Sequence, residues 1–311
     1  MIYKKLLITA LSIEMMLSSA AFGSCGDNTD DIISGDDINC WDCSTATSSC
    51  TARLTGTTLN ITGTGDMADY YGDSIAPWSA KKSSITNLVI GDGITSIGSY
   101  AFLQASHLED IQISNSVKTI NIGAFEQTRF SGTLVIPESV NFINGFAFSY
   151  IGDAKIMIEG TSQLISSSFI NTQRATIYCE QSLDCSNKGI YGGVDYQGNN
   201  TVTYEKQSGV YRLEDGTMFA SPNDMMNGVN ACVDLDSCKA TVLQNKGYCT
   251  GEACAAMVAA ENTNHPIEYN NKSYASIDDL LKGKHMPKRI YTLDEANTVA
   301  GAVNRISIKY R

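Results

Sequence analysis

The sequence predicts a short repeat solenoid, preceded by a β-rich cap and followed by a small disulfide-stapled α+β region. Three observations carry the prediction. A phrase recurs at a fixed interval: GDGITSIGSYAF at 91–102, SNSVKTINIGAF at 114–125 and PESVNFINGFAF at 137–148. An apolar, strand-like segment precedes each unit, TNLVI ending at Ile90, EDIQI at Ile113, GTLVI at Ile136 and AKIMI at Ile158, with spacings of 23, 23 and 22. Finally, the cysteines avoid the repeats and cluster before and after them, where a small region without its own large core needs staples.

In chain order, residues 1–23 read as a secretory signal peptide. Lys4 and Lys5 precede a mainly apolar run from Leu6 to Leu17, interrupted by Glu14, and small residues lead to Ala21-Phe22-Gly23. No later segment has the apolar length a spanning helix needs. The expectation is an exported chain without a membrane span after processing, secreted or at the cell surface, with the periplasm as the other destination. Cys25 as a lipidation site is the minor alternative, since Phe22-Gly23-Ser24 is a poor lipobox. Residues 24–49 form a cysteine-containing leader with an acidic run, DNTDDIISGDD. That run lacks the alternating ligands and central glycine of a calcium loop, so it reads as a solvated stretch.

The chain carries 22 basic and 33 acidic side chains, a formal charge of −11. Its basic residues are scattered, which argues against nucleic acid as a partner. The ten cysteines fit an oxidising compartment. Cys25, Cys40, Cys43 and Cys50 cluster near the start, and the short pairs Cys179 with Cys185, Cys232 with Cys238, and Cys249 with Cys254 follow. Local pairing is expected, because in CVDLDSCKA and CTGEACAA the second cysteine opens a helix that a bridge would tie to the segment before it. For the first cluster, zinc and a redox Cys40-Trp41-Asp42-Cys43 motif are the alternatives. Zinc wants a second knuckle, and a redox CxxC opens a helix after a buried strand, whereas this one sits in loop-like sequence. No cofactor and no metal are expected.

Residues 50–84 read as a β-rich N-terminal cap and 85–178 as the solenoid. Leu88 and Ile90, Ile111 and Ile113, Leu134 and Ile136, and Ile156 and Ile158 alternate along short strands with one buried face. After a turn, Ile94 and Ile97, Val117 and Ile120, and Val140 and Ile143 give a second inward edge. Phe102, Phe125 and Phe148 should stack inside, with Ala101, Ala124 and Ala147 small where the chain turns tightly. One coil alone cannot bury enough apolar surface to offset its ordering entropy, so the coils must cover one another. A fifth strand, RATIY, follows after 19 residues, and the phrase has decayed by then to GTSQLISSSF.

These units resemble the BspA-like (Treponema pallidum type) leucine-rich repeat, roughly LxxIxIPxxVxxIGxxAFxxC. Leu108, Ile111, Ile113, Val117, Ile120, Ala124 and Phe125 match it, as do Ile136, Pro137 and Val140. The cysteine that often follows AF in that pattern is absent. The upstream segment CTARLTGTTLNITGTGDMADYYGDSIAPWSAKKSSI resembles the N-terminal cap of the same proteins. The resemblance implies a right-handed leucine-rich-repeat-type coil of about 4–5 turns with parallel strands, and a bacterial surface or secreted binding protein of the adhesin kind with no catalytic residues to carry over.

Residues 179–199 read as a capping loop and 200–311 as an α+β region with an internal duplication. Phe219-Ala-Ser-Pro-Asn-Asp-Met-Met-Asn-Gly228 is echoed by Tyr274-Ala-Ser-Ile-Asp-Asp-Leu-Leu-Lys-Gly283: an aromatic strand end, a serine cap, a short helix and a glycine stop. Hairpins are expected before each, in VYRLEDGTMF and IEYNNKSY. A third piece, RIYTLDEANTVAGAVNRISIKYR, reads strand, helix, strand.

His107, His265 and His285 lie far apart in polar contexts and read as surface residues, and no nucleophile elbow, zinc-protease helix or phosphate loop occurs. The functional expectation is a non-enzymatic protein-binding or adhesion module. Its ligand would be a protein, on a host or neighbouring cell surface, held on the outward strand positions Asn87, Val89, Asp110, Gln112, Thr133, Val135, Lys155 and Met157. Val89, Val135 and Met157 are apolar where solubility alone would favour charge. The alternatives are a CxxC thiol-disulfide oxidoreductase and a passive structural envelope protein.

Overall fold

The computed structural model of the 311-residue chain describes residues 39–71, 75–160, 163–164, 167–172, 175–181 and 200–286. The signal peptide, Cys25, Cys185, most of the expected capping loop and the third C-terminal piece lie outside the described residues.

The first three strands, β1 (Cys40–Asp42), β2 (Ser49–Thr55) and β3 (Thr58–Asp66), form an antiparallel meander. β3 then launches both walls of the solenoid. Its first half pairs in parallel with β4 (Asn87–Ile90), Leu59 opposite Leu88 and Ile61 opposite Ile90. Its second half meets β5 (Ile94–Ile97). Between the halves sits Gly63 at φ +135°, where a Cβ would lie 1.9 Å from the Ser49 carbonyl oxygen. Only glycine lets the two strands run that close.

The coils continue with β6 (Asp110–Ile113) and β7 (Thr119–Ile120), β8 (Thr133–Ile136) and β9 (Phe142–Ile143), and β10 (Lys155–Ile158) and β11 (Gln163–Leu164). One wall is the parallel ladder β3-β5-β7-β9-β11. The other runs β1-β2-β3-β4-β6; the following strands form a second ladder, β8-β10-β12, whose edge strand β8 lies beside β6 without being paired to it, and β12 spans Thr176–Glu180. Pairings hold the sequence register: Leu88 faces Ile111, and Leu134 faces Ile156, which faces Ile177.

Every inward residue expected from the repeat is buried except Ile113, which is partly covered. The aromatic column is longer than the repeat suggested. Trp78, Phe102, Phe125, Phe148 and Phe169 stack in succession, with centroids 5.7, 5.3, 5.3 and 5.2 Å apart and planes within 25° of one another. Trp78 Nε1 donates to the Ala101 carbonyl at 3.0 Å, which pins the cap to the first coil. The Ala-Phe turns also hydrogen-bond from coil to coil, Phe102 N to Ala124 O and Phe125 N to Ala147 O. Their tightness forces residues into the left-handed region: Tyr100, Gly123 and Phe146 occupy one such row, and Gln104, Gln127, Tyr150 and Asn171 another.

After the solenoid the chain returns to its sheet. β13 (Asn200–Gln207) adds in parallel to β12, and β14 (Val210–Leu213) and β15 (Met218–Phe219) extend it antiparallel. Then follow α1 (Pro222–Asn227), α2 (Leu235–Asn245), α3 (Glu252–Asn262), the hairpin β16 (Ile267–Tyr269) and β17 (Lys272–Tyr274), and α4 (Ile277–Leu281). The duplication is real in three dimensions. Ser221 and Ser276 each accept the backbone N–H three residues on, at 3.1 Å, so both short helices start on a serine cap. The Asn270-Asn271 turn has φ of 48° and 59°, the paired positive values a two-residue hairpin needs.

Disulfides join Cys232 to Cys238 and Cys249 to Cys254, as the local-pairing expectation has it, and Cys43 to Cys50. Cys40 and Cys179 are also disulfide-bonded, and no described cysteine is free. Because Cys43 bridges to Cys50, the two cysteines of the CxxC are not partners of each other.

Candidate functional site: the strand face of the solenoid

The outward positions of the β4–β12 wall fall into two rows. Asn87 lies opposite Asp110, and Thr133 opposite Lys155; Val89 lies opposite Gln112, and Val135 opposite Met157. Pairing with β3 extends these rows to Thr58 and Asn60, and pairing with β12 extends them to Thr176 and Tyr178. The eight residues expected from sequence therefore fall four on the β4–β6 ladder and four on the adjoining β8–β10 ladder. They do not share one environment.

At the β4–β6 end the face is open and polar. Gln112 is exposed, and Asn87, Val89 and Asp110 are half-buried. Gln112 Nε2 donates to Asp110 Oδ2 at 2.9 Å, and Asn87 Nδ2 donates to Thr58 Oγ1 at 3.4 Å. Amides and hydroxyls in two rows, with one carboxylate and one valine among them, give a surface of donors and acceptors at strand spacing.

At the β10–β12 end the face is closed by the chain itself. Met157, expected to face solvent, is fully buried among Tyr178, Tyr204, Tyr211, Phe219 and the α1 residues Met225 and Met226. Val135 packs against the same cluster. This corrects the reading of Val135 and Met157 as ligand-facing: their apolar character serves a second core between the outward sheet face and α1. Lys155 is likewise engaged, its Nζ donating to the Met226 carbonyl at 2.8 Å and reaching Asn227 Oδ1 at 3.5 Å. A lysine there supplies the helix C-terminus with the cation it favours.

Polar groups inside this second core are satisfied. Tyr204 Oη donates to Ile158 O at 2.7 Å, and Tyr178 Oη to Met226 O at 3.3 Å. Tyr211 donates to the Glu159 carboxylate, which also holds Lys206 Nζ at 3.1 Å. Burial, with Glu159 nearby, pushes the phenol pKa of Tyr204 and of Tyr211 well above the ordinary tyrosine range, so both stay protonated donors.

His107, His265 and His285 are exposed. Among the described residues no group of three or more His, Cys, Asp or Glu is placed to hold a metal ion. No described helix is long and apolar enough to cross a membrane.

This geometry is that of a leucine-rich-repeat solenoid, and the family match agrees with it. Residues 74–191 match the BspA type leucine rich repeat region in six copies, so a leucine-rich-repeat domain of that kind is present in the chain. A stretch of 77 residues is 34% identical to part of the sushi, von Willebrand factor type A, EGF and pentraxin domain-containing protein 1 of Mus musculus, and equally to that of Rattus norvegicus. It covers 24% of this chain and 2% of either relative. A leucine-rich repeat protein from Eubacterium ventriosum ATCC 27560, known from its crystal structure, is 22% identical with a TM-score of 0.41, covering 56% of this chain and 48% of that one. The architecture is consistent with a protein-interaction scaffold.

Proposed function

We propose that the protein is an exported, non-enzymatic binding or adhesion module whose ligand is a protein, held on the open end of the strand face. The observation that carries this reading is the division of that face. Its β10–β12 end is sealed by α1, while Asn87, Val89, Asp110 and Gln112 keep a regular polar surface free of any covering element among the described residues. The export half of the reading rests on the N-terminal sequence and on the disulfides, which persist in oxidising compartments. The redox alternative is disfavoured by the Cys43–Cys50 bridge, which leaves the CxxC motif without an internal dithiol.

The test is attachment of beads coated with the full chain to host or neighbouring cells. The double variant Val89→Glu with Gln112→Arg should lose attachment at unchanged melting temperature, and Lys246→Glu, on an exposed site beyond α2, should keep it. Undiminished attachment by the double variant would move the site off this face. An insulin-reduction assay should read no activity; activity that disappears in Cys40→Ser would restore the oxidoreductase reading.

A further inference from the structure

A second recess lies away from the strand face, at the seam between the cap and the first coil. It is a cleft of about 510 Å³ bounded by Tyr70, Ile75, Ala80, Lys82, Tyr100 and Leu103. That volume suits one small ligand.

Four features distinguish it from ordinary surface relief. Ile75 is 69% exposed, a branched aliphatic side chain left on the rim. Tyr100 occupies the left-handed row it shares with Gly123 and Phe146, at φ +55°, and the residue one coil on is the glycine, which leaves room for the Tyr100 ring. The Tyr100 ring lies over Gly123, where a Cβ would be 2.4 Å from it, and packs edge-on against Tyr71 with centroids 5.6 Å apart. Tyr70 is 7% exposed, and its hydroxyl is buried without a hydrogen-bond partner. Lys82 Nζ donates to the Leu103 carbonyl at 3.2 Å and has no carboxylate within ion-pair distance among the described residues. In a chain with a net charge of −11, an unpaired ammonium beside an apolar recess is a distinctive place for a cation. Among the described residues, three carboxylates stand near the walls: Glu126, beside Gly123 and the Tyr100 ring, and Asp42 and Asp69, whose charges act on the Tyr70 phenol, so the anion end of the recess is set by Lys82 alone.

We propose that this cleft binds a small carboxylate with an apolar body, aliphatic or aryl. The body lies against Ile75, Ala80, Leu103 and the Tyr100 ring. The carboxylate pairs with Lys82, whose other donor hydrogens are uncommitted. Apolar contact supplies the attraction and the single cation selects the anionic headgroup. The site is independent of the strand face: Leu103 and Tyr100 belong to the Ala-Phe turns, on a different edge of the coil.

The test uses the full chain and the fluorescent anion 8-anilinonaphthalene-1-sulfonate, displaced by decanoate or by decanol. The expected result is one saturable site from which decanoate displaces the probe at a concentration at least tenfold lower than decanol does. Ala80→Phe, which fills the cleft from an exposed position, should weaken both competitors at least tenfold. Lys82→Met should abolish the preference for decanoate while retaining displacement by decanol. Equal displacement by the two competitors in the wild-type protein, or probe binding unchanged by Ala80→Phe, overturns the proposal. Those two measurements decide it even where Lys82→Met fails to fold.

Discussion

Replacing Phe125 by alanine removes the third ring of the five-membered aromatic column. The ring is fully buried and lies 5.3 Å from both Phe102 and Phe148, with interplanar angles of 17° and 7°. Nothing nearby can collapse into the gap, because Ala124 and Ala147 are small and their backbones are tied from coil to coil by hydrogen bonds such as Phe125 N to Ala147 O at 2.8 Å. Truncating a buried phenylalanine costs about 3–5 kcal/mol, at the upper end where the site cannot relax, and about 0.5–1.5 kcal/mol of stacking is forfeited at each neighbour. Those lost stacking contacts are part of the truncation cost and place the expected loss at the upper end of its range, about 4–5 kcal/mol. Urea unfolding followed by tryptophan fluorescence reads it, since Trp78 terminates the same column. Phe125→Leu, which keeps most of the volume, should lose about 1–2 kcal/mol. A loss below about 1 kcal/mol for the alanine variant would mean that the rings are spectators and that the strands alone hold the stack.

Three other outcomes are expected. Met157→Ala should destabilise by about 2–5 kcal/mol and speed proteolysis at α1, whereas Val89→Ala on the open end should stay within about 0.5 kcal/mol; equal effects would contradict the sealed-face description. Removing the Cys232–Cys238 bridge with paired serines releases a loop closed over a separation of 6 residues and should cost about 2 kcal/mol, seen as a lower urea midpoint for α2 by circular dichroism. Asp234 caps α2 by accepting Ser237 N at 2.7 Å, and its hydrogen bonds to Ser237 hold its pKa below the ordinary aspartate value. A depressed folded pKa contributes stability above the unfolded carboxylate range and loses it as pH falls through the folded value. Asp234→Asn keeps the capping acceptor but does not titrate, so its melting curve should lack that acid-side increment while matching wild type at neutral pH.

The solenoid was legible because its constraints repeat. Leu88 and Ile90, Ile94 and Ile97, and the Ala-Phe pair recur in phase, and one coil fixes the meaning of the next. Trp78 was harder to place, since it takes the ring position of the column without an alanine before it; its spacing of 24 residues from Phe102 was the available signal. The serine caps, the hairpin turns and two local disulfides follow from chemistry acting over a few residues, which is why they could be read without knowing the fold. The fate of the strand face could not be read so easily. Met157 and Met226 lie 69 positions apart, and no local rule brings them together. Yet the outward row turns from Asn60, Val89 and Gln112 to Val135, Met157 and Tyr178, and that drift toward apolar residues marks where another layer lands. An outward methionine on a strand is evidence for a partner, and the partner can be the same chain. The seam cleft was invisible for another reason: it depends on the backbone twist at Tyr100 and on the ring resting over Gly123.

The aromatic column also sets the grain in which this chain can change length. Its rings come one per turn, and both walls keep register only when a whole turn is added or removed. Excising 103–125 would bring Phe102 against Phe148 with every ladder realigned, whereas losing a few residues fewer would leave a ring facing a turn. Growth and shortening of such a protein therefore proceed in whole coils, and the strand face lengthens or contracts by one two-residue rung each time.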